Sequence, residues 1–155
     1  MELPKRKPNR LPDYDYNQNG AYFVTICTQD RKPILSQIVG DDAHIVPKPY
    51  GQIAEKHIRN VPEIEKYVLM PDLIHMIIRL DNGSMWASTP TNTKPQRNHI
   101  SNIVRSIKVL VAKEIGQSIF QRSYYDHVIR NQRDYNEIWE YIENNPKKYL
   151  LIREG

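Results

Sequence analysis

The apolar positions of this chain fall into short blocks whose period changes along the sequence. "AYFVTICTQD" (21–30) is dense in β-branched and aromatic residues, and "RKP" follows it as a turn signal, which predicts a first strand. "PILSQIVG" and "DDAHIVPKP" predict two short strands, a hairpin or an edge pair, turned at Gly40 and the Asp pair and limited by Pro47. In "YGQIAEKHIRNVPEIEKY" the period lengthens: Ile53, Ala54, His57 and Ile58 recur at helical spacing, and the helix ends near Val61, before Pro62. "YVLMPDLIHMIIRL" (67–80) reads as a strand pair, or as one strand broken at Pro71, because proline cannot donate into a central ladder.

The stretch 81–98 is poor in aliphatics and rich in Gly, Ser, Thr, Asn and Pro, the composition of a long mobile loop. "NHISNIVRSIKVLVAKEIG" then places Ile100, Ile103, Val104, Ile107, Leu110 and Val111 on one helical face, with Gly116 as the stop. Its other face carries Arg105, Lys108 and Lys113. "SIFQRSYYDHVIR" (118–130) is strand-like at first and irregular afterwards. A last helix begins near 131, with Tyr135, Ile138, Trp139 and Ile142 as its core face and Pro146 closing it.

Strands, helix, strands, helix, strand, helix, joined mostly by short connections, predict an α+β fold. The expectation is an antiparallel sheet with helices packed on it, of the ferredoxin-like or RRM-like kind. A chain of 155 residues fits one domain, here 1–155, with a basic N-terminal arm over 1–16.

Composition narrows the class without fixing the function. The hydrophobic share is 39% and the charged share 26%, which argues against both disorder and a membrane protein. No stretch of about 18 apolar residues exists, and the N-terminal segment lacks the apolar region of a secretory signal. The single cysteine, Cys27, can close no internal disulfide and reads as a small core residue; the expected compartment is the cytoplasm. The net charge of +4 permits nucleic-acid binding without demanding it. Its distribution is uneven: Lys5, Arg6, Lys7 and Arg10 lie in the Pro-containing arm, able to pair with phosphates or to remain a solvated tail.

Three kinds of residue carry candidate chemistry. His75 is an imidazole in an apolar strand, open to three readings: buried and satisfied by a carbonyl, placed on an open sheet face, or a ligand needing partners. Tyr141 lies about 60° from Ile138 on a 3.6-residue wheel, at the flank of the core face, with Asn145 one turn further on the same side. One of ten tyrosines, it is either a packing residue with a wet hydroxyl or a nucleophile, with Tyr124 and Tyr125 as rivals. Arg105 and Lys108 on the helix, with Arg122, Tyr124, Tyr125 and Arg130 near the last strand, are candidates for phosphate contact and base stacking.

The runs "YVLMPDLIHMII", "ISNIVRSIKVLVAKEI" and "FQRSYYDHVIRNQRDYNEIWEYIENNPKKY", with the entry "AYFVTICTQDRKPIL", together resemble the REP-associated tyrosine transposases. These are a branch of the single-tyrosine HUH transposases, and the likeness spans roughly residues 15–150 in the right order. It implies a ferredoxin-like HUH fold that binds single-stranded or hairpin-ended DNA. It also implies Mg²⁺ or Mn²⁺ held by two histidines flanking a hydrophobic residue, and a tyrosine that forms a 5′-phosphotyrosine and frees a 3′-hydroxyl. Residue by residue, Tyr141 matches the nucleophile, Asn145 the amide that completes the metal shell, and His75 the second histidine. Leu73 stands where the first histidine belongs, in Pro71-Asp72-Leu73-Ile74-His75.

Side chains alternate on a strand, so residues 73 and 75 share a face and Asp72 points to the other. Only a bulge near Pro71 would bring its carboxylate inward; His44 is a weaker substitute. Two functions are therefore expected: a metal-dependent DNA strand transferase or nickase impaired at position 73, or a catalytically inactive hairpin-binding module descended from one. A monomer and a homodimer are both compatible. A general RRM-like single-strand binder is disfavoured, since no central strand carries an RNP-like aromatic run.

Overall fold

The computed structural model describes residues 20–80 and 99–154; the expected arm over 1–16 and loop over 81–98, with Lys5, Arg6, Lys7 and Arg10, lie outside them. Strands β1 (Gly20–Cys27), β4 (Ile64–Leu69), β5 (Leu73–Leu80) and β6 (Tyr125–Ile129) form one antiparallel sheet in the order β4-β5-β1-β6. Helix α1 (Pro49–Arg59) links β1 to β4, and α2 (His99–Ile115) links β5 to β6. That is the β-α-β-β-α-β order of a ferredoxin-like fold, so the expected α+β class is observed. A third helix, α3 (Gln132–Glu154), follows β6.

The near-continuous apolar runs of β1 and β5 follow from their position at the centre, where both faces are covered. They pair in register from Gly20 opposite Leu80 to Cys27 opposite Leu73. On one face Tyr22, Val24, Ile26, Ile74, Met76 and Ile78 pack with Ala54 and Ile58 of α1 and with Ile100, Val104, Ile107 and Val111 of α2. On the other, Ala21, Phe23, Cys27, Leu73 and Ile77 pack with Ile138 and Ile142 of α3. Leu110, expected in the α2 core face, is instead 42% exposed. It sits about 80° from the centre of the buried stripe, beyond the width the sheet covers.

The hairpin of β2 (Ser36–Val39) and β3 (His44–Pro47) forms a separate two-stranded sheet. Its Ile38 and Ile45 pack against the cluster that contains Leu73 and Met70. Ser36 Oγ donates to the Leu69 carbonyl (2.9 Å), and the Leu35 amide donates to the Pro71 carbonyl (3.0 Å), fixing the hairpin beside the β4–β5 turn. Residues 67–80 are thus a strand pair with Pro71 in the turn between them.

Two boundaries differ from expectation. In the 118–130 stretch the strand is the later part, Tyr125–Ile129, while Phe120 makes only an isolated bridge to Thr28. The apolar Ile119 and Phe120 are buried as loop anchors, a role that periodicity alone does not distinguish from a strand. Pro146 does not close the last helix, which runs on to Glu154. A proline inside a helix removes one donor and costs about 3 kcal/mol; here Ile138 and Ile142 before it and Tyr149 after it join the same apolar cluster, and that packing holds the helix together. No described helix is long and apolar enough to cross a membrane.

Gly51, buried in the first turn of α1, is where backbone meets backbone: a Cβ there would lie 1.9 Å from the Leu35 carbonyl oxygen. Gly51→Ala is therefore expected to destabilise the fold by roughly 2–3 kcal/mol, at the upper end of overpacking effects, measured by urea unfolding.

Candidate functional site

The sheet register builds the site. Val68, His75, Thr25 and Tyr125 lie directly opposite one another on four adjacent strands, one row on the face that α3 covers. His75 is 2% exposed. Its Nδ1 shares a 2.8 Å hydrogen bond with Thr25 Oγ1, in which either partner can donate. The His75 ring lies 5.2 Å from the Phe23 ring and 5.4 Å from that of Tyr141, which in turn meets Phe23 edge-on at 5.9 Å. The tyrosine and histidine singled out by sequence therefore meet on one face, although they lie on elements far apart in the chain.

Burial, with the Arg31 charge adding to it, pushes the His75 imidazole down to about 3, so it is neutral at physiological pH. Tyr141 is half-buried. Asn145 is also half-buried, one turn beyond Tyr141 on α3.

The donors required for a divalent ion are largely absent. Leu73, 7% exposed, is packed among Cys27, Val68 and Met70. Asp72 precedes β5, and its carboxylate pairs with Arg31 at 3.0 Å, so no bulge carries it to the His75 face. His44 is exposed on the separate hairpin sheet. No group of three or more His, Cys, Asp or Glu side chains able to hold a metal ion occurs among the described residues. One neutral imidazole and one amide bring no negative charge, and a hard cation such as Mg²⁺ or Mn²⁺ calls for several oxygen ligands, carboxylates foremost. The residues present do not fit that ion.

The residues expected to contact DNA do not share one surface. Tyr125 faces α3, in the row of His75. Tyr124 packs against the opposite core, and its hydroxyl is 2.8 Å from Ser101 Oγ on α2. Arg105 is exposed on α2, in the layer across the sheet from Tyr141. Lys108 is not a free surface cation: its Nζ donates to the carbonyls of Gln121 (2.8 Å), Arg122 (3.0 Å) and Ser123 (3.3 Å), and burial pushes its ammonium pKa down. Arg122 is exposed at the rim of a cleft lined by Gln29, Asp30, Ser118, Phe120 and Gln121. Arg130 is exposed just past β6, its backbone N–H donating to the Asp134 carboxylate at 3.2 Å.

Sequence reading missed three participants. Thr25 is a lone hydroxyl in an apolar strand, a signal visible in "FVTIC". His127, on the α3 face of β6, bonds Asp134 at 3.1 Å at the start of α3. Lys148 places its ammonium 5.7 Å from the Tyr141 ring centroid; with the helix ended at Pro146, it had no assignable direction. Trp139, expected in the core, is instead 36% exposed, stacked on Tyr135 with the Lys66 ammonium 4.2 Å from its ring centroid. It sits one position round the wheel from Ile138, away from the sheet.

The site is thus a helix-borne tyrosine set over a central-strand histidine on a ferredoxin-like sheet. The chain is similar to a REP-associated tyrosine transposase of Escherichia coli K12, with 26% identity over 140 residues, covering 90% of this chain and 73% of that protein. An uncharacterized Haemophilus influenzae protein is 28% identical over 160 residues, 91% of this chain and 88% of its own length. Among solved structures, a REP-associated tyrosine transposase bound to a REP hairpin has the same fold, with a TM-score of 0.57 at 24% identity, covering 90% of this chain and 74% of that one. No protein-family model matches the chain. The resemblance to REP-associated tyrosine transposases read from the sequence thus stands across about nine-tenths of the chain.

The His75 environment predicts an acid-side loss of stability. Unfolded, the imidazole titrates near its ordinary 6.5; folded, at about 3. Between those values the unfolded state binds the extra proton, so this contribution is complete above about pH 6.5 and is lost as the pH falls toward 3. Each pH unit in that window removes on the order of 1.4 kcal/mol. In urea unfolding from about pH 7 to about pH 4.5, His75→Gln is expected to show a shallower acid slope than the wild type. Lys108→Met leaves three carbonyls without their shared cation and is expected to cost about 1–3 kcal/mol by the same measurement, without changing the salt dependence of DNA binding.

Proposed function

We propose that this chain is a transposase-like DNA-binding protein that grips a hairpin end or its single-stranded flank, with metal-assisted cleavage disabled at position 73. The observation that carries the reading is the pairing of Tyr141 with His75 in a site whose would-be metal positions hold a buried leucine and an imidazole tied to Thr25. The hairpin bound by the structural neighbour supports DNA as the partner. Tyr141, Tyr125 and the sheet edge at β6 form the side from which a strand would enter, and Lys5, Arg6 and Lys7 would add phosphate contacts.

The loss at position 73 has a physical scale. A metal ion polarises the scissile phosphate, and each 1.36 kcal/mol of lost transition-state stabilisation is about tenfold in rate. Changes merely next to a metal ligand cost about 10- to 100-fold, so removing a ligand costs at least that.

A second reading, residual strand transfer, is favoured by one observation: the Tyr141 ring lies within 5.4 Å of the His75 ring, as a nucleophile beside its former metal site would. In that reaction the Tyr141 Oη–P bond forms while the P–O3′ bond breaks, its electron pair and a proton leaving as a free 3′-hydroxyl.

Labelled hairpin DNA incubated with the protein and Mn²⁺ separates the two. A retained complex on a native gel with no covalent adduct on a denaturing gel is expected for the wild type. Leu73→His is expected to produce an adduct, which Leu73→His combined with Tyr141→Phe abolishes. Efficient adduct formation by the wild type would overturn the inactive reading in favour of the transferase; no retained complex would overturn both.

A further inference from the structure

We infer that Lys148, with the Tyr141 hydroxyl and the Asn145 amide, forms a metal-free subsite for one backbone phosphate of DNA, an inference that rests on the DNA-binding reading above. Three observations on α3 carry it. First, the helix continues through Pro146, so residues 141, 145 and 148 fall within about 60° of one another on the wheel, a single polar stripe beside the apolar one of Ile138 and Ile142. Second, the Lys148 ammonium lies 5.7 Å from the Tyr141 ring centroid, within the range over which a ring face attracts a cation, so the charge is held beside the phenol. Third, that charge has no counter-ion among the described residues.

Several neighbouring cations are paired, although Lys147, next to Lys148 on α3, also lacks a carboxylate partner among the described residues. Lys66 is paired with Glu143, Arg79 with Glu65 and Arg133 with Glu137. Across the molecule Arg31 is paired with Asp72, Lys56 with Glu114 and Arg59 with Glu55. Lys148 has no such partner among the described residues, since the residue one turn before it is the uncharged Asn144 and the nearby Glu143 is engaged by Lys66; its place over the Tyr141 ring sets it apart from the equally unpaired Lys147. A cation left unneutralised on the helix stripe that also carries a hydroxyl and an amide, both able to donate to an anionic oxygen, is complementary to a phosphodiester. Unlike a divalent ion, an ammonium needs no imidazole or carboxylate ligands, so this subsite is indifferent to Leu73.

The test is the salt dependence of binding, read by fluorescence anisotropy on a labelled DNA hairpin with a single-stranded flank. Lys148→Ala is expected to weaken binding and to lower the slope of log K against log salt by about 0.7–0.9, the contribution of one phosphate. Lys148→Arg is expected to keep the wild-type slope. Lys147→Ala removes the same formal charge from a position about 100° round the helix and is expected to leave the slope unchanged. A wild-type slope in Lys148→Ala, or an equal fall in Lys147→Ala, overturns the subsite while leaving DNA binding intact. Absence of binding by the wild type removes the DNA reading and this inference together.

Discussion

The pairing of β1 with β5 at the centre of the sheet is the constraint on which the rest depends. Both strands are covered on both faces, so the side chains along them, the exposed Arg79 apart, are committed to one of two interiors. A register slip of one residue would turn one strand over relative to the other, driving Thr25 or His75 into the core shared by α1 and α2 and separating the two. The Thr25–His75 hydrogen bond is what makes the present arrangement tolerable. It satisfies one nitrogen of a buried imidazole with the one hydroxyl at the opposing position, and it fixes the ring against Phe23 and Tyr141.

The same constraint explains why a leucine is comfortable at position 73. That position lies two residues from His75 on the same face, 7% exposed, in the cluster that holds Cys27, Val68 and Met70 and against which the hairpin residues Ile38 and Ile45 pack. A second imidazole there would require another polar partner or a bound cation to offset its desolvation, whereas an aliphatic side chain gains from burial, about 1.5–3 kcal/mol when complete. Functional sites commonly sacrifice packing for chemistry; at this position the side chain is a buried member of the core.

Charge is distributed in a related way. The outer surface of α3 and the β4 edge carry cations matched by carboxylates and aromatic faces, as in the Lys66, Glu143 and Trp139 group. Lys108 is turned inward to hold together the segment that leads into β6. The modest excess of positive charge is therefore not a uniform coat. What remains for an anionic partner near Tyr141 is concentrated at the far end of α3, beyond the proline.

Much of the fold was legible because its periods are unambiguous. The alternation and density of apolar residues in 21–27 and 73–80 and the stripe in 100–111 identify strands and helix by geometry that holds for any chain. The pairing of His75 with Tyr141, the departure at Leu73 and the place of Asn145 one turn on were legible through the resemblance to REP-associated tyrosine transposases, not from spacing alone. Sequence could not show that Lys108 serves carbonyls rather than solvent, that Asp72 is taken by Arg31, or that Tyr124 and Tyr125, adjacent in the chain, face opposite cores. Each of those is decided by contacts between residues distant in the chain, or by the parity of a strand whose start periodicity does not locate. The continuation of α3 through Pro146 belongs with them. Local propensity opposes it, and only the apolar surface offered by a finished sheet outweighs the missing donor.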